Sequence, residues 1–268
     1  MVPLIANGLA GALDAPILLT QNESVPDITA QELTRLNPQT VYVLNGGIVD
    51  MDAVRKEVKA ALPLAAIAAI EGKDARELSW AIYEYGEANA FWGAGIALTY
   101  DGCLGDLASL SPYLYSKKCP VLVKLGEEPV SLKMCEMASR KEEALIIGGF
   151  KSFPDAGIAP IVGSSTAVHR FVGKDQYDAN ELINNWIERS VDADSFLVVS
   201  IWHPEDALAV GSFAAKNGSL VLLEDPQNLD SVAHGITYVG GNKKQLRFVG
   251  DRSRFNDLDK ELLVKASD

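Results

Sequence analysis

Three short apolar segments recur along the chain, and turn-forming or polar residues flank each of them. They read APILLT at 15–20, CPVLVK at 119–124 and SLVLLE at 219–224. A continuous apolar run of this length is typical of a strand buried on both faces, as strands are in a parallel sheet. The recurrence of the segment with similar surroundings indicates an internal repeat.

A second feature recurs in the same order. Segments predicted as strands end in Gly-Gly at VYVLNGG (41–47), EALIIGG (143–149) and GITYVGG (235–241). The first glycines of these pairs, Gly46, Gly148 and Gly240, lie 102 and 92 residues apart. This spacing is far longer than the period of a solenoid, so we expect tandem modules.

Each module is predicted to open with a short strand, a glycine and an aspartate that caps the next helix. This motif reads IEGKDAR at 70–76, RFVGKDQY at 170–177 and RFVGDRSRF at 247–255. The opening helices are predicted over 75–86, 179–190 and 256–266, and a second set over 2–15, 105–118 and 204–218 precedes the apolar segments. Strands that alternate with helices predict a parallel sheet with helices on both faces.

The repeat predicts where the modules begin and end. Module one covers 1–69, module two covers 70–168 and module three covers 169–246, while 247–268 form the opening segment of a further module or of the first. The chain starts where the second helix of module one is expected. Two interpretations stay open: a segment cut from a longer protein, or a circular closure in which 247–268 help to complete module one.

Composition narrows the range of functions. The chain has 268 residues, is 48% hydrophobic and carries a net charge of −12, which argues against general nucleic-acid binding. No uninterrupted apolar run is long enough to span a membrane. The first basic residue is Arg35, so the N-terminal stretch does not resemble a secretory signal, and a secreted parent would carry its signal outside this chain. Cys103, Cys119 and Cys135 are expected to be buried or free thiols, with one disulfide as the alternative.

Together these features resemble the cell wall binding repeat type 2 family, whose modules occur in tandem threes in surface proteins of clostridia and other Gram-positive bacteria. The resemblance covers nearly the whole chain and rests on DALAVGSFAAKNGSLVLLE, on APILLT followed by VPDITAQEL, on VYVLNGG and on the RFVGKDQY openings. The family signature PILL is intact at Pro16, Ile17, Leu18 and Leu19 and is altered in the two later apolar segments. Gln176 stands where the family opening usually carries Arg.

The resemblance implies Rossmann- or Toprim-like α/β modules, three of them packed around a pseudo-threefold axis. It also implies a non-catalytic anchor that needs no cofactor. Such an anchor would hold an extracellular surface protein on the cell wall by binding an anionic secondary polymer, and the activity of the parent protein would lie in another segment.

Binding of an anionic polymer requires Lys and Arg side chains, best combined with backbone N–H groups at helix N-termini. Ten basic residues are predicted to contact the polymer: Lys243, Lys244, Arg247, Arg252, Arg254, Arg170, Lys174, Lys117, Lys118 and Lys124. Ligands of open parallel sheets bind beyond the carboxyl ends of the strands, where Thr20, Lys124 and Glu224 are expected. These three residues differ in character, so the sites need not be equivalent.

Two other functions stay open. Because the signature is altered in the later copies, the chain could serve a structural role in a surface array whose modules bind one another. A small-molecule enzyme on a Rossmann-like scaffold is disfavoured, since the sequence has no GxGxxG after a strand, no Walker loop and no GxSxG. His169, His203 and His234 are scattered and form no metal-ligand pattern, and Trp202 is the strongest candidate for stacking on a sugar ring.

Overall fold

The computed structural model describes residues 1–268 except 165, 192, 201–202, 226, 228, 241–244, 251–254 and 268. Strands and helices alternate along these residues, as predicted. The strands are β1 (Thr40–Asn45), β2 (Ala66–Glu71), β3 (Gly95–Tyr100), β4 (Val121–Lys124), β5 (Glu143–Ile147), β6 (Ala167–Phe171), β7 (Ser195–Ser200), β8 (Ser219–Glu224) and β9 (Gln245–Val249). The helices are α1 (Val2–Ile5), α2 (Asn7–Leu13), α3 (Asp27–Leu36), α4 (Met51–Ala61), α5 (Ala75–Ala88), α6 (Leu104–Ser116), α7 (Leu132–Ala138), α8 (Asp155–Val162), α9 (Gln176–Glu188), α10 (Pro204–Ala207), α11 (Val210–Lys216), α12 (Leu229–Gly240) and α13 (Asp257–Ser267).

The described strands form three sheets in which every pairing is parallel. Their strand orders are β1–β2, β4–β3–β5–β6 and β8–β7–β9. The second and third sheets share a plan, because the central strands β3 and β7 pair with β4 and β8 in matching positions. The predicted fold class, α/β with parallel sheets, is confirmed, while the number of modules stays a prediction.

The Gly-Asp openings cap two helices as the sequence predicts. The side chain of Asp74 accepts from the backbone N–H of Glu77, and that of Asp175 accepts from the N–H groups of Tyr177 and Asp178. The preceding glycines let the chain pass close to the first helical turn: a Cβ at Gly72 would stand 2.1 Å from the backbone N of Leu78. Only glycine fits such an approach.

Three helices from distant parts of the chain, α2, α6 and α11, pack against one another. Glycines bring their backbones together. A Cβ at Gly11 would stand 1.9 Å from the carbonyl oxygen of Tyr115, and one at Gly8 would stand 2.2 Å from that of Cys119. One large apolar cluster extends from α1 through α6 to the third sheet, so these parts share a single core.

Two predicted strands are wrong. Residues 15–20, which contain Pro16–Leu19, have no strand, because the segment pairs with no neighbouring strand among the described residues. Residues 235–240 lie in the last turns of α12, whose apolar face packs on β8 and α9. The predicted helices over 2–15 and 204–218 are each divided in two.

The C-terminal segment belongs to the third sheet. β9 pairs with β7, and α13 packs against α12 and β9. This arrangement favours counting 245–267 with module three, although the boundaries at 69, 168 and 246 remain predictions. None of the described helices is long and apolar enough to cross a bilayer.

Candidate functional site

The carboxyl-terminal edge of the second sheet gathers several of the predicted binding residues. Here β4 ends at Lys124 and β6 carries Arg170 one residue before its end, and Lys174 follows in the next turn. The loop 148–154, between β5 and α8, lies against both Lys124 and Arg170. Ligands of open parallel sheets bind outside this edge, which makes it the candidate site.

Lys124 is buried at this edge, and its ammonium contacts the loop that follows β4. Its side chain is nearly inaccessible, with the residue 3% exposed, and its Nζ donates to the carbonyl oxygens of Gly126 at 2.5 Å and Glu128 at 2.9 Å. The ammonium also lies over the rings of Tyr100 and Phe153, at 5.9 and 5.7 Å from their centroids. Burial lowers the pKa of Lys124. Its main contacts therefore order the loop after β4.

Arg170 and Phe150 form a partly exposed pair at the same edge. The guanidinium donates to the carbonyl oxygen of Phe153 at 2.6 Å and to Asp155 Oδ1 at 3.0 Å. It also lies 4.5 Å from the ring centroid of Phe150, a cation–π contact. Phe150 is 56% exposed. The edge thus presents an aromatic surface held in place by a cation.

Carboxylates balance most of the positive charge nearby. Lys151 pairs with Glu127, and Arg76 pairs with Glu128 at 2.7 Å. Lys174 is exposed, and its ammonium makes no ion pair with any residue in the described ranges. Lys174 is therefore the most available cation of this edge.

The other predicted basic residues are not brought to this edge. Lys117 and Lys118 are exposed at the C-terminal end of α6, before β4 begins, and so lie at the opposite edge of the sheet from Lys124. Arg247 lies mid-strand in β9, where it donates to Gln245 Oε1 at 3.3 Å. Four predicted contacts lie outside the described residues: Lys243, Lys244, Arg252 and Arg254.

The corresponding edge of the third sheet is acidic. Glu224 ends β8 and is 0% exposed, and neither of its carboxylate oxygens has a hydrogen-bond partner among the described residues. The pKa of Glu224 is raised to about 7, mainly by burial and to a smaller extent by the charges of Asp259 and Asp225, while Ser200 opposes the shift. The neighbouring Asp225 accepts a hydrogen bond from Tyr177. Sequence reasoning placed Glu224 at a strand end but missed its burial, which depends on how β8 is covered.

The first sheet presents an apolar groove instead of a charged edge. The signature residues Pro16, Ile17, Leu18 and Leu19 line a cavity of about 630 Å³ together with residues of β1, α2 and α3. Of the three residues expected at strand ends, Lys124 and Glu224 do end β4 and β8 and are buried, whereas Thr20 is exposed and follows a segment that forms no strand.

Aromatic and titratable side chains elsewhere mostly serve packing. Trp186 packs against Tyr113 and Phe171, and Trp80 lies beneath the ammonium of Lys133 at 4.5 Å. Trp202 lies outside the described residues. Within the described ranges, no three His, Cys, Asp or Glu side chains are grouped as metal ligands. All three cysteines are free and buried, as expected.

Comparison with known proteins shows that part of this chain is similar to a described family. Residues 170–245, from β6 to the first residue of β9, match the sequence model of a family described as Cell wall binding domain 2 (CWB2). This segment, under a third of the chain, is similar to the CWB2 family. The resemblance inferred from the sequence is therefore confirmed, and the CWB2 segment contains α9, β7, β8 and α12 in full.

Two solved structures share the fold over 99% of this chain. Cwp6 from Clostridium difficile superposes with a TM-score of 0.83 at 22% identity, and Cwp8 from the same organism with a TM-score of 0.79 at 19% identity. The Amidase enhancer of Bacillus subtilis (strain 168) is 25% identical over 231 residues, which is 85% of this chain. The chain spans 42% of Cwp6, 45% of Cwp8 and 30% of the Amidase enhancer, so it is similar to a part of each.

Proposed function

We propose that this chain is a non-catalytic module that holds a surface protein on the bacterial cell wall by binding an anionic secondary polymer. The CWB2 match over 170–245 carries the proposal. The shared fold with two cell wall proteins supports it. The module would act outside the cell, and other surface proteins are further candidate partners.

The carboxyl-terminal edge of the second sheet is the surface that we propose for the polymer. The exposed ring of Phe150 offers a face on which a sugar can stack, and Lys174 offers an available cation. Arg170 keeps Phe150 in place, while its own charge is paired with Asp155. Since charge-assisted contacts to anions are stronger than neutral ones, this combination suits an acidic glycan.

The negative net charge limits how the polymer can be attracted. With a charge of −12, the protein as a whole repels a polyanion, and screening at physiological salt confines any attraction to about 8 Å. Binding would therefore depend on direct contact at a local patch. We expect it to weaken as salt rises, because surface charge interactions are screened.

A pull-down on purified Gram-positive cell walls, before and after the secondary polymers are stripped, tests the proposal. Binding should fall when the polymers are removed. The double variant Phe150→Ala, Lys174→Ala should bind at least about ten-fold more weakly, which corresponds to the loss of one or two direct contacts. A matched control, Leu64→Ala with Lys56→Ala, replaces an exposed leucine and an exposed lysine away from this edge and should bind like the original chain.

Other outcomes of the pull-down point elsewhere. Loss of binding in the variant with Lys243, Lys244, Arg247, Arg252 and Arg254 changed to Ala, but not in the Phe150 and Lys174 variant, would move the site to that patch. Binding that survives stripping would rule out the polymer, and no binding to any wall would overturn the anchor function. Self-assembly without wall binding would favour a role in a surface array.

The enzyme alternative gains no support from the buried carboxyl group of Glu224. A raised carboxyl pKa is a feature of many active sites. Glu224, however, is 0% exposed, and the cavity lined by the adjacent Leu223 and by Ser200 has a volume of only about 100 Å³. A carboxyl buried in this way does not by itself indicate an active site.

A further inference from the structure

Three basic side chains at the proposed polymer surface each hold a carboxylate of the chain itself. The pairs are Arg76 with Glu128 at 2.7 Å, Arg170 with Asp155 at 3.0 Å, and Lys151 with Glu127. Glu127 and Glu128 belong to the loop after β4, Asp155 begins α8, and α5, which carries Arg76, packs on β4. These three acids, the edge carboxylates, therefore gather at the carboxyl-terminal edge of the second sheet.

Two of the edge carboxylates lie closer to solvent than the arginines that they pair with. The side chain of Asp155 is 84% exposed and that of Arg170 is 14% exposed, while the values for Glu128 and Arg76 are 47% and 28%. In the third pair, the side chains of Glu127 and Lys151 are both exposed. An anion that approaches these cations from solution therefore finds each of them already paired with a carboxylate.

Arg170 is held in position by contacts that do not involve Asp155. Its guanidinium donates to the carbonyl oxygen of Phe153 at 2.6 Å and lies over the ring of Phe150. If Asp155 turned towards solvent, the guanidinium would stay beside this exposed aromatic ring. Its Nη2, which now donates to Asp155, would then be free to donate to another anion.

Arg76 is fixed in a similar way. Its guanidinium lies 5.5 Å from the ring centroid of Trp80 and 3.6 Å from Asp74 Oδ2. Lys124 holds the backbone of Glu128 by donating to its carbonyl oxygen at 2.9 Å, so this part of the loop does not depend on the Glu128 side chain. The carboxylate of Glu128 can thus leave Arg76 while the loop keeps its conformation.

Displacement of the edge carboxylates costs little for each pair. Exposed ion pairs contribute little to stability, because water and salt screen them and because they restrict two side chains. A polymer with several linked anionic groups replaces the pairs within one binding event, since each further contact forms at a high effective concentration. A single small anion has no such advantage and is a poor competitor.

We propose that, in the free protein, the edge carboxylates occupy the positions that anionic groups of the polymer take on binding. The displaced residues are Glu127, Glu128 and Asp155, and the cations that they release are Lys151, Arg76 and Arg170. This inference rests on the proposed function, because it assigns further contacts to the same ligand at the same edge. It makes the site selective for a glycan with several linked phosphate or carboxylate groups, which alone can replace the pairs together.

The triple variant Glu127→Gln, Glu128→Gln, Asp155→Asn tests the proposal, since it removes the three charges and keeps the size of the side chains. We expect it to bind purified Gram-positive cell walls at least about five-fold more tightly than the original chain, which corresponds to the competition of about one exposed ion pair. Adding Lys151→Ala to the triple variant should lower this affinity again. Lys151 is exposed, so its truncation leaves the fold intact.

A matched control separates displacement from the change in net charge, because the triple variant also raises the charge of −12 by three. The control changes three acids that pair with basic residues in α3, α4 and α13: Glu32→Gln, Asp52→Asn and Asp257→Asn. It makes the same change in net charge away from the proposed surface, so its wall binding should stay within about two-fold of the original. Circular dichroism verifies that all variants are folded.

A titration with inorganic tripolyphosphate provides a readout that does not depend on the cell wall. Its linked phosphates stand in for the anionic groups of the polymer, and isothermal titration calorimetry measures its affinity. The triple variant should again bind at least about five-fold more tightly than the original chain and the matched control.

The outcomes distinguish this inference from the proposed function. Wall binding by the original chain without a gain in the triple variant over the matched control would overturn the displacement and leave the proposed function intact. Absence of wall binding by every variant would overturn the proposed function. A gain in tripolyphosphate affinity confined to the triple variant would then still support the anion positions, and equal affinities would overturn them as well.

Discussion

Gly211 lies directly against the side chain of Asn7, so closely that a Cβ at Gly211 would stand 2.1 Å from Asn7 Oδ1. The same Cβ would also stand 2.7 Å from Cβ of Ser111. Three helices from three parts of the chain, α2, α6 and α11, thus meet at one point. Glycine is required there for space, since these contacts leave no room for a methyl group.

Gly211→Ala is therefore expected to destabilise the chain by at least about 2 kcal/mol, because overpacking a tight core forces neighbouring helices apart. Urea unfolding measures the change. Gly149→Ala is the matched control, since a Cβ there meets nothing within 4 Å and its φ is not positive. Equal stability of the two variants would contradict the close packing.

Glu224→Gln is expected to stabilise the protein at high pH. The carboxyl pKa of Glu224 is raised from 4.5 to about 7, so the folded state keeps a proton that the unfolded chain has lost. Stability then falls as pH rises through that window, and the loss is complete above about pH 7. Glu224→Gln has no carboxyl group to ionise and so avoids this loss of stability. It should be more stable than the original chain by up to roughly 3 kcal/mol at pH 8, with little difference near pH 4.

Unfolding curves at pH 4 and pH 8 check this prediction. Glu127→Gln serves as the control, because Glu127 is exposed and pairs with Lys151 at the surface. Its effect should be small at both pH values, because exposed ion pairs contribute little to stability. A Glu224→Gln variant whose advantage does not grow with pH would show that the carboxyl is ionised in the folded protein.

Asn180→Ala is expected to cost about 2–4 kcal/mol. The buried side-chain amide of Asn180 donates to Ser109 Oγ at 2.7 Å and to the carbonyl oxygen of Val221 at 2.8 Å, and so ties α9 to α6 and β8. Its removal leaves a cavity and a buried hydroxyl with one partner fewer.

Asn184→Ala should cost less, because Asn184 donates only to Val221 and its Oδ1 has no partner among the described residues. Chemical denaturation of the two variants compares them; the reverse order would refute the bridging role.

Lys124→Ala and Lys174→Ala should behave differently despite their shared edge. Lys124 holds two loop carbonyls, so its truncation should cost about 2–4 kcal/mol. Lys174 is exposed, and its truncation should change stability by less than about 0.5 kcal/mol. Thermal melts test both. A small effect at Lys124 would mean that the loop after β4 does not depend on this ammonium.

The cysteine thiols should react slowly in the folded protein. Cys119 is fully buried, Cys103 and Cys135 are nearly so, and burial raises the pKa of all three thiols. Because the thiolate is the reactive form, a thiol reagent such as DTNB should modify them only as the chain opens. Complete reaction of three thiols in urea is the positive control, and a fast phase without denaturant would reveal an accessible cysteine.

The sequence predicted those parts of the fold that local patterns determine. Buried strands such as β4 and β8 show continuous apolar runs, and Asp74 and Asp175 follow the capping pattern. The segment at Pro16–Leu19 shows the same apolar pattern without forming a strand, because a strand requires a neighbour that its own residues do not specify. The segment GITYVGG was also predicted as a strand because it ends in Gly-Gly. Its apolar spacing is instead that of the amphipathic helix α12, which packs one face on β8.

The candidate site was predicted less well, because charge alone does not reveal burial. Lys124 and Lys174 look alike in sequence, yet one is buried against loop carbonyls and the other is exposed. Phe150 was not predicted at all. The signal for it was present only as an aromatic residue directly after a Gly-Gly turn, and its pairing with Arg170 depends on the contact between the loop after β5 and strand β6.

The meeting of α2, α6 and α11 also limits how this protein can be shortened. Residues 170–245 alone, the part that matches the CWB2 model, would be the obvious choice for a shortened protein. That fragment would lose α6 and α2, against which α11 packs, and would expose the small side chains and glycines that now form the centre. The practical unit for engineering is therefore the whole set of three helices with their sheets.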